Sequence, residues 1–292
     1  MESSANVSAR DSDELALPGV LVTTSWLAEH LDDAKLRILD VREPAYFVRS
    51  HIAGARNAPL ANWACTIDGV EGMVLPADAY AGLMSQLGVT RDTPVVMYDD
   101  TWGLAAARLF WSLEYYGHRA IAVLDGGWDF WRAEGLPLEA GTAGIVPAPF
   151  STQPEPLRIA TYTWLRERLE RGYTAADGLA VVDVRSPAEY AEGHLPGAIS
   201  WDWMNATLPS SWEVMRDAAE LSAELEEIGV TRDKEIVVYC RSGVRAAHTY
   251  LVLRALGYPR VRNYDGSWLE WEARTAASAR SSGTQSVKGA PA

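Results

Sequence analysis

The sequence has little of what marks secreted or membrane-spanning chains. Only two of its 292 residues are cysteine, Cys65 and Cys240, so no disulfide framework can hold a chain of this length, which indicates a reducing compartment. No apolar run reaches the roughly 18 to 20 residues that cross a bilayer, and the polar start lacks the basic and apolar regions of a signal peptide. We therefore expect a cytoplasmic protein that makes no membrane contact.

Positive charge is also scarce. Lys and Arg number 26 against 39 Asp and Glu, for a formal net charge of −13. An acidic chain repels phosphate backbones and anionic lipid headgroups, which argues against nucleic acid as a partner. The apolar content of 48% and the charged content of 22% are those of an ordinary globular protein. The length suits two domains of about 100 to 150 residues.

An internal repeat is present, in three ordered blocks. LRILDVREPAYFVRSHIAGARNAP resembles LAVVDVRSPAEYAEGHLPGAISW, LGVTRDTPVVMY resembles IGVTRDKEIVVY, and LDGGWDFW resembles YDGSWLEW. Three blocks in the same order mean that one unit of about 130 residues occurs twice. We place the first copy at residues 18–140, a Gly- and Pro-rich linker at 141–156 and the second copy at 157–275, with disordered ends at 1–17 and 276–292.

Short β-branched runs alternate with longer amphipathic stretches in both copies. This alternation predicts α/β domains, each with a parallel-sheet core and helices on both faces. In such sheets the chemistry is expected at the carboxyl ends of the strands. The predicted strands are 38–41, 95–98 and 121–124 in the first copy and 181–184, 236–239 and 261–264 in the second, and the predicted helices are 77–87, 104–116, 217–228 and 245–256.

The two copies differ chemically at the end of one strand. The second copy reads Cys240-Arg241-Ser242-Gly243-Val244-Arg245 before a helix, and the first reads Asp99-Asp100-Thr101-Trp102-Gly103. A cysteine between a buried strand and a helix N-terminus lies in the positive potential of loop amides and the helix dipole, which favours the reactive thiolate. Arg241 and Arg245 strengthen that potential and attract an anionic substrate. Gly243 suits a positive φ or a close approach by a ligand.

Two of the candidate residues also have a structural interpretation. A lone cysteine after a hydrophobic strand is usually a small buried hydrophobe. We expect that inert role for Cys65, whereas the loop around Cys240 favours reactivity. Arg185 either contacts substrate or forms an ion pair with Asp183, because its twin Arg42 lies in a copy that has no cysteine at the loop.

These residues resemble the rhodanese superfamily, and the resemblance extends from about Val20 to Arg274. The DVR and GH blocks, the strand that ends in Cys and the final DG-(G/S)-W motif occur in this order in tandem-domain sulfurtransferases of the thiosulfate and 3-mercaptopyruvate type. The resemblance therefore implies two tandem rhodanese-like domains. It also implies a non-catalytic first domain and a catalytic second one, since Asp99 stands where the second copy has Cys240.

The resemblance implies a role for each residue of the loop. Cys240 takes the outer sulfur of a donor and holds it as a persulfide, which then passes to cyanide or a thiol acceptor without a metal or an organic cofactor. Arg185 contacts the small anionic donor. The loop residues Arg241, Ser242, Gly243, Val244 and Arg245 complete the substrate-binding set. We expect this protein to be a monomer.

Loop length and loop charge separate the branches of the superfamily. The six-residue loop from Cys240 to Arg245 has the size associated with sulfur transfer, whereas relatives that handle phosphate or arsenate carry arginine where this chain has Ala246. Two loop arginines favour thiosulfate as the donor, and the Ser-Gly-Val run is similar to the 3-mercaptopyruvate pattern. The alternatives are a 3-mercaptopyruvate sulfurtransferase and a non-catalytic rhodanese-like binding or regulatory module.

Overall fold

Two five-stranded sheets, one in each copy of the repeat, organise the computed structural model, which describes residues 15–142, 144–208 and 210–284. The first copy contains, in chain order, β1 (Leu21–Val22), α1 (Thr24–Glu29), β2 (Arg37–Asp40), α2 (Pro44–Arg49), β3 (His51–Ile52), β4 (Arg56–Asn57), β5 (Ala64–Ile67), β6 (Val70–Val74), α3 (Ala77–Gln86), β7 (Val95–Tyr98), α4 (Leu104–Tyr115), β8 (Ile121–Leu124), α5 (Gly127–Ala133) and β9 (Leu138–Glu139). The second contains β10 (Ile159–Ala160), α6 (Tyr162–Glu170), β11 (Leu179–Asp183), α7 (Pro187–Glu192), β12 (Ile199–Ser200), α8 (Ala218–Glu227), β13 (Glu235–Tyr239), α9 (Val244–Ala255), β14 (Val261–Tyr264) and α10 (Ser267–Thr284).

The two sheets have the same strand order and are parallel throughout. They run β1-β8-β7-β2-β4 and β10-β14-β13-β11-β12. The expected parallel α/β architecture is confirmed. The predicted strands 95–98, 121–124 and 261–264 coincide with β7, β8 and β14, and the others differ from the observed strands by one or two residues at one or both ends.

Helices cover both faces of each sheet, because the strands carry apolar side chains on both sides. On the outer face of the first sheet, Leu27, Phe47 and Trp131 of three helices pack in one apolar cluster. The outer face of the second sheet has a matching cluster. The inner faces share one core, in which α4 packs directly against α9. The loops that precede α4 and α9 are therefore held close to the boundary between the two copies.

The described residues extend beyond the expected domain boundaries at both ends. The last helix continues to Thr284, past the expected start of the tail at residue 276. Leu15 and Leu17 pack against the outer core of the first copy. Residues 1–14 and 285–292, expected to be disordered, lie outside the described residues.

The proposed linker contributes no helix or strand over residues 144–155. It is nevertheless tied to the end of α4, where the Gln153 amide donates to the carbonyl of Tyr116. Within the described ranges, none of the helices is long and apolar enough to cross a bilayer.

Candidate active site

Cys240 is the first residue after β13 and opens the short loop that leads into α9. Its side chain is 1% exposed, and its Sγ accepts a hydrogen bond of 3.2 Å from the Gly243 amide. The Cys240 amide donates to Oγ of Ser267 (3.2 Å), and its carbonyl accepts from the Trp268 amide (3.0 Å). The thiol therefore lies in a loop whose backbone is fixed on both sides.

Gly243 has the positive φ that the sequence predicted for it, and protein atoms approach it closely. Its φ is +82°, in the left-handed region, where it caps the N-terminus of α9. A Cβ at this position would lie 2.8 Å from the carbonyl oxygen of Asp265 and 2.9 Å from Nη1 of Arg108. A side chain here would therefore be strained by its backbone and would also collide with two fixed neighbours.

The corresponding loop of the first copy shows what its amides bind. Asp99 follows β7, and its Oδ1 accepts from the amides of Thr101 and Gly103 (2.9 Å each). Its Oδ2 accepts from the amides of Ala105 (2.7 Å) and Ala106 (2.9 Å), in the first turn of α4. This loop therefore encloses a negatively charged group of its own chain.

In the second copy, the loop that begins at Cys240 leaves the equivalent amides without a hydrogen-bond acceptor among the described residues. Gly243 and Gly103 cap their helices in the same left-handed conformation, so Arg245 and Ala246 correspond to the two helical residues that bind the Asp99 carboxylate. Within the part of the chain that the structure describes, the amides of Val244, Arg245 and Ala246 have no acceptor. This helix N-terminus can receive negative charge from a group attached to Cys240.

Arg245 is held by an ion pair that the sequence analysis did not predict. Its Nη1 and Nη2 donate to the two carboxylate oxygens of Glu189, at 2.7 and 2.8 Å. Hydrogen bonding to Arg245 lowers the pKa of Glu189 to about 2. The same interaction raises the pKa of Arg245, and the nearby Cys240 raises it further. In the structure, Ser186 and Glu189 also form a capping box at the start of α7. The cap gives no hint of the second bond to the arginine.

Arg185 lies in a buried ion pair. Its Nε and Nη2 donate to Asp183 at 2.9 and 2.6 Å, and Nη2 also donates to the carbonyl of Gly193. Arg42 and Asp40 make the same pair in the first copy, at 3.0 and 2.6 Å. Because the copy that has no cysteine at the loop repeats the arrangement, the geometry favours the structural alternative for Arg185.

The remaining loop residues differ in exposure. Arg241 is exposed, and among the described residues its guanidinium has no hydrogen-bond or ion-pair partner. Ser242 and Val244 are half-buried. Of the three arginines that the sequence pointed to, Arg241 is thus the one whose guanidinium faces solvent without a partner.

Two residues beside the Cys240 loop, Arg108 and Gly72, come from the first copy, and no local motif indicated them. Arg108 on α4 donates to Asp265, which follows β14, at 2.6 Å. Gly72 on β6 lies against the loop that begins at Cys240.

Cys65 lies on β5 with its Sγ 3.8 Å from the Val74 carbonyl, and burial raises the pKa of its thiol. This environment favours the inert role expected for Cys65.

Comparison with known proteins places both copies in one family. The profile of the rhodanese-like domain matches residues 23–134 and 161–274. The sulfur carrier protein TtuD of Thermus thermophilus is 37% identical over 276 residues, covering 88% of this chain and 94% of that protein. A thiosulfate sulfurtransferase of Pseudomonas aeruginosa is 36% identical over 263 residues, covering 86% and 93%. The crystal structure of SseA from Escherichia coli, described as a 3-mercaptopyruvate sulfotransferase, superposes with a TM-score of 0.76 at 29% identity, covering 86% and 99%.

Proposed function

The chain belongs to the rhodanese family, as the sequence led us to expect, and we propose that it is a thiosulfate sulfurtransferase that carries the transferred sulfur on Cys240 as a persulfide. One observation carries this proposal. Cys240 occupies a loop whose helix amides are open, at the place where the other copy fills the same amides with the Asp99 carboxylate. A persulfide brings negative charge to that place, so the loop is built to stabilise it.

The first half-reaction forms the persulfide. The thiolate of Cys240 attacks the outer sulfur of thiosulfate, a new S–S bond forms, and the S–S bond of the donor breaks with its electron pair leaving on sulfite. The Gly243 amide holds Sγ at 3.2 Å, so the attacking atom is oriented before the donor arrives. The outer sulfur then carries the negative charge beside the amides of Val244, Arg245 and Ala246.

The second half-reaction returns the enzyme to its starting state. Cyanide or a thiolate attacks the outer sulfur, the persulfide bond breaks, and its electron pair returns to Sγ of Cys240. The products are thiocyanate or a new persulfide on the acceptor. The Arg245 guanidinium stays beside the thiolate in both halves, because Glu189 holds it there.

Donor recognition is assigned mainly to Arg241. Its guanidinium is exposed and unpaired within the described chain, whereas Arg185 is bound to Asp183 and Arg245 to Glu189. Truncating Arg241 to Ala should raise the KM for thiosulfate more than it lowers kcat, because an exposed charge contributes to binding rather than to bond breaking.

A 3-mercaptopyruvate sulfurtransferase is the second candidate. The similarity to SseA favours this function. In addition, Arg245 is paired with Glu189, so only one of the two loop arginines that favoured thiosulfate is unpaired within the described chain. Steady-state turnover with each donor and cyanide as the acceptor separates the two functions, with Cys240→Ser as the inactive control. We expect a higher kcat/KM for thiosulfate. A higher kcat/KM for 3-mercaptopyruvate would instead make the protein a 3-mercaptopyruvate sulfurtransferase. The absence of turnover with both donors would contradict both enzyme functions and favour the binding-module alternative.

Three further expectations stay predictions. They are a cytoplasmic location, a monomeric state, and a small thiol or cyanide as the acceptor. Size-exclusion chromatography with light scattering checks the second of these directly.

A further inference from the structure

The loop of Cys240 is covered by the first copy. We call the antiparallel hairpin of β5 and β6, residues 64–74, the hairpin roof. Its Gly72 has a φ of +81°, and a Cβ there would lie only 3.2 Å from Cβ and from the carbonyl oxygen of Ser242. The backbone of the hairpin roof therefore rests directly on the loop, with no side chain of Gly72 between them.

Arg108 links the hairpin roof to the second copy through hydrogen bonds. It is 1% exposed, and its Nη2 donates to the carbonyl of Gly72 (2.7 Å) and to Oδ1 of Asp265 (2.6 Å). Oδ2 of Asp265 accepts from the amide of Val74 at 2.9 Å, so Asp265 holds β6 directly through Val74 and indirectly through Arg108. Nη1 of Arg108 is buried without a partner in the described chain and reaches the Cβ position of Gly243.

The second copy covers the first in the same way but with different chemistry. The Val214 amide donates to Asp125 at 2.7 Å, as that of Val74 does to Asp265. His248, on α9, occupies the place that Arg108 has on α4, and its Nε2 lies 3.1 Å from the carbonyl of Trp102 and 3.0 Å from that of Val214. This second cover lies over the Asp99 loop, so it provides a matched control.

From this arrangement we propose that the hairpin roof, positioned by Arg108, selects acceptors by size at Cys240. Because Cys240 is 1% exposed, a reagent reaches Sγ only through a narrow path or after the cover opens. A compact nucleophile such as cyanide can use the narrow path, whereas a bulky thiol reaches Sγ only after the hairpin roof has opened. Arg108 is thus a positioning residue, and its part in turnover rests on the function proposed above.

The test loosens the hairpin roof in two ways, in a Cys65→Ser background that leaves one thiol. Gly72→Ala pushes it away from Ser242. The pair Arg108→Gln and Asp265→Asn removes both buried charges together, so that neither is left uncompensated. His248→Gln is the matched control. Intact mass spectrometry gives the modification rates of Cys240 with methyl methanethiosulfonate, a small reagent, and with a bulky aryl maleimide.

We expect the modification rate of Cys240 with the bulky reagent, divided by the rate with the small reagent, to rise roughly tenfold in both roof variants. Local opening becomes easier when buried hydrogen bonds are lost. The His248 control should keep the parent ratio. The ratio of transfer to glutathione over transfer to cyanide should rise in parallel. An unchanged reagent ratio in both variants, or an equal rise in the control, overturns the proposal. Thiol reagents report on the roof even if the parent protein transfers no sulfur, a result that would contradict the proposed function alone.

Discussion

Replacing Arg185 with Gln tests whether this arginine supports the fold or binds the donor. The change leaves the Asp183 carboxylate, which is fully buried, without its charged partner. Breaking a buried pair in this way costs about 3–5 kcal/mol. Asp183 keeps a 2.6 Å hydrogen bond from the Tyr239 hydroxyl, so we take the lower end, about 3 kcal/mol. For a chain of this size that loss lowers the unfolding temperature by about 6–12 °C.

Arg42→Gln is the matched variant, because the same pair occurs in the copy that has no nucleophile. Thermal unfolding by circular dichroism and steady-state kinetics with thiosulfate are measured on both variants. We expect similar losses of unfolding temperature and a KM for thiosulfate that neither variant changes by as much as threefold, about 0.7 kcal/mol. A KM that rises tenfold or more, about 1.4 kcal/mol, in Arg185→Gln alone would refute the structural assignment and return Arg185 to the donor site.

Two further predictions concern the loop. Gly243→Ala and Gly103→Ala carry the same left-handed strain, about 1–2 kcal/mol. The new Cβ at Gly243 meets the backbone carbonyl oxygen of Asp265 at 2.8 Å, whereas the nearest atoms at Gly103 are all in the side chain of Val214. Only Gly243→Ala should abolish persulfide formation, and equal persulfide yields by mass spectrometry would contradict this. The pKa of Glu189 is held at about 2, below its ordinary 4.5, by its arginine partner. Its stabilising contribution is therefore complete above pH 4.5 and is lost as the pH falls toward 2. Urea unfolding should show Glu189→Gln less stable than the parent at neutral pH, with the two converging in acid, and a gap that stays constant with pH would contradict the assignment.

The features that depend on local pattern were predictable from sequence. The β-branched runs that end at Tyr98 and Tyr239 give strands at those positions, and the amphipathic stretches that follow give α4 and α9. A repeated unit then predicts two equal sheets. The place of Cys240 and the positive φ of Gly243 also follow, because a strand, a tight loop and a helix N-terminus leave a short loop few conformations.

The contacts between distant segments were not predictable in this way. Glu189 lies 56 positions before its partner Arg245, and Arg108 lies 157 positions before Asp265. Glu189 and Arg245 meet because β11 and β13, the strands before their helices, are neighbours in the second sheet. Arg108 reaches Asp265 because α4 of the first copy packs against α9 of the second. The loop arginines therefore looked equivalent in sequence, although one is unpaired within the described chain and another is fixed by a carboxylate.

The most direct test of the account is to find where sulfur is held after exposure to thiosulfate. The protein is incubated with thiosulfate, freed of excess donor by gel filtration, and analysed by intact mass and by peptide mapping, alongside Cys65→Ser and Cys240→Ser. The account predicts one added sulfur atom on the peptide that contains Cys240, retained in Cys65→Ser, absent in Cys240→Ser, and released as thiocyanate when cyanide is added. A parent protein that gains no sulfur, or that carries it on Cys65, would contradict the account.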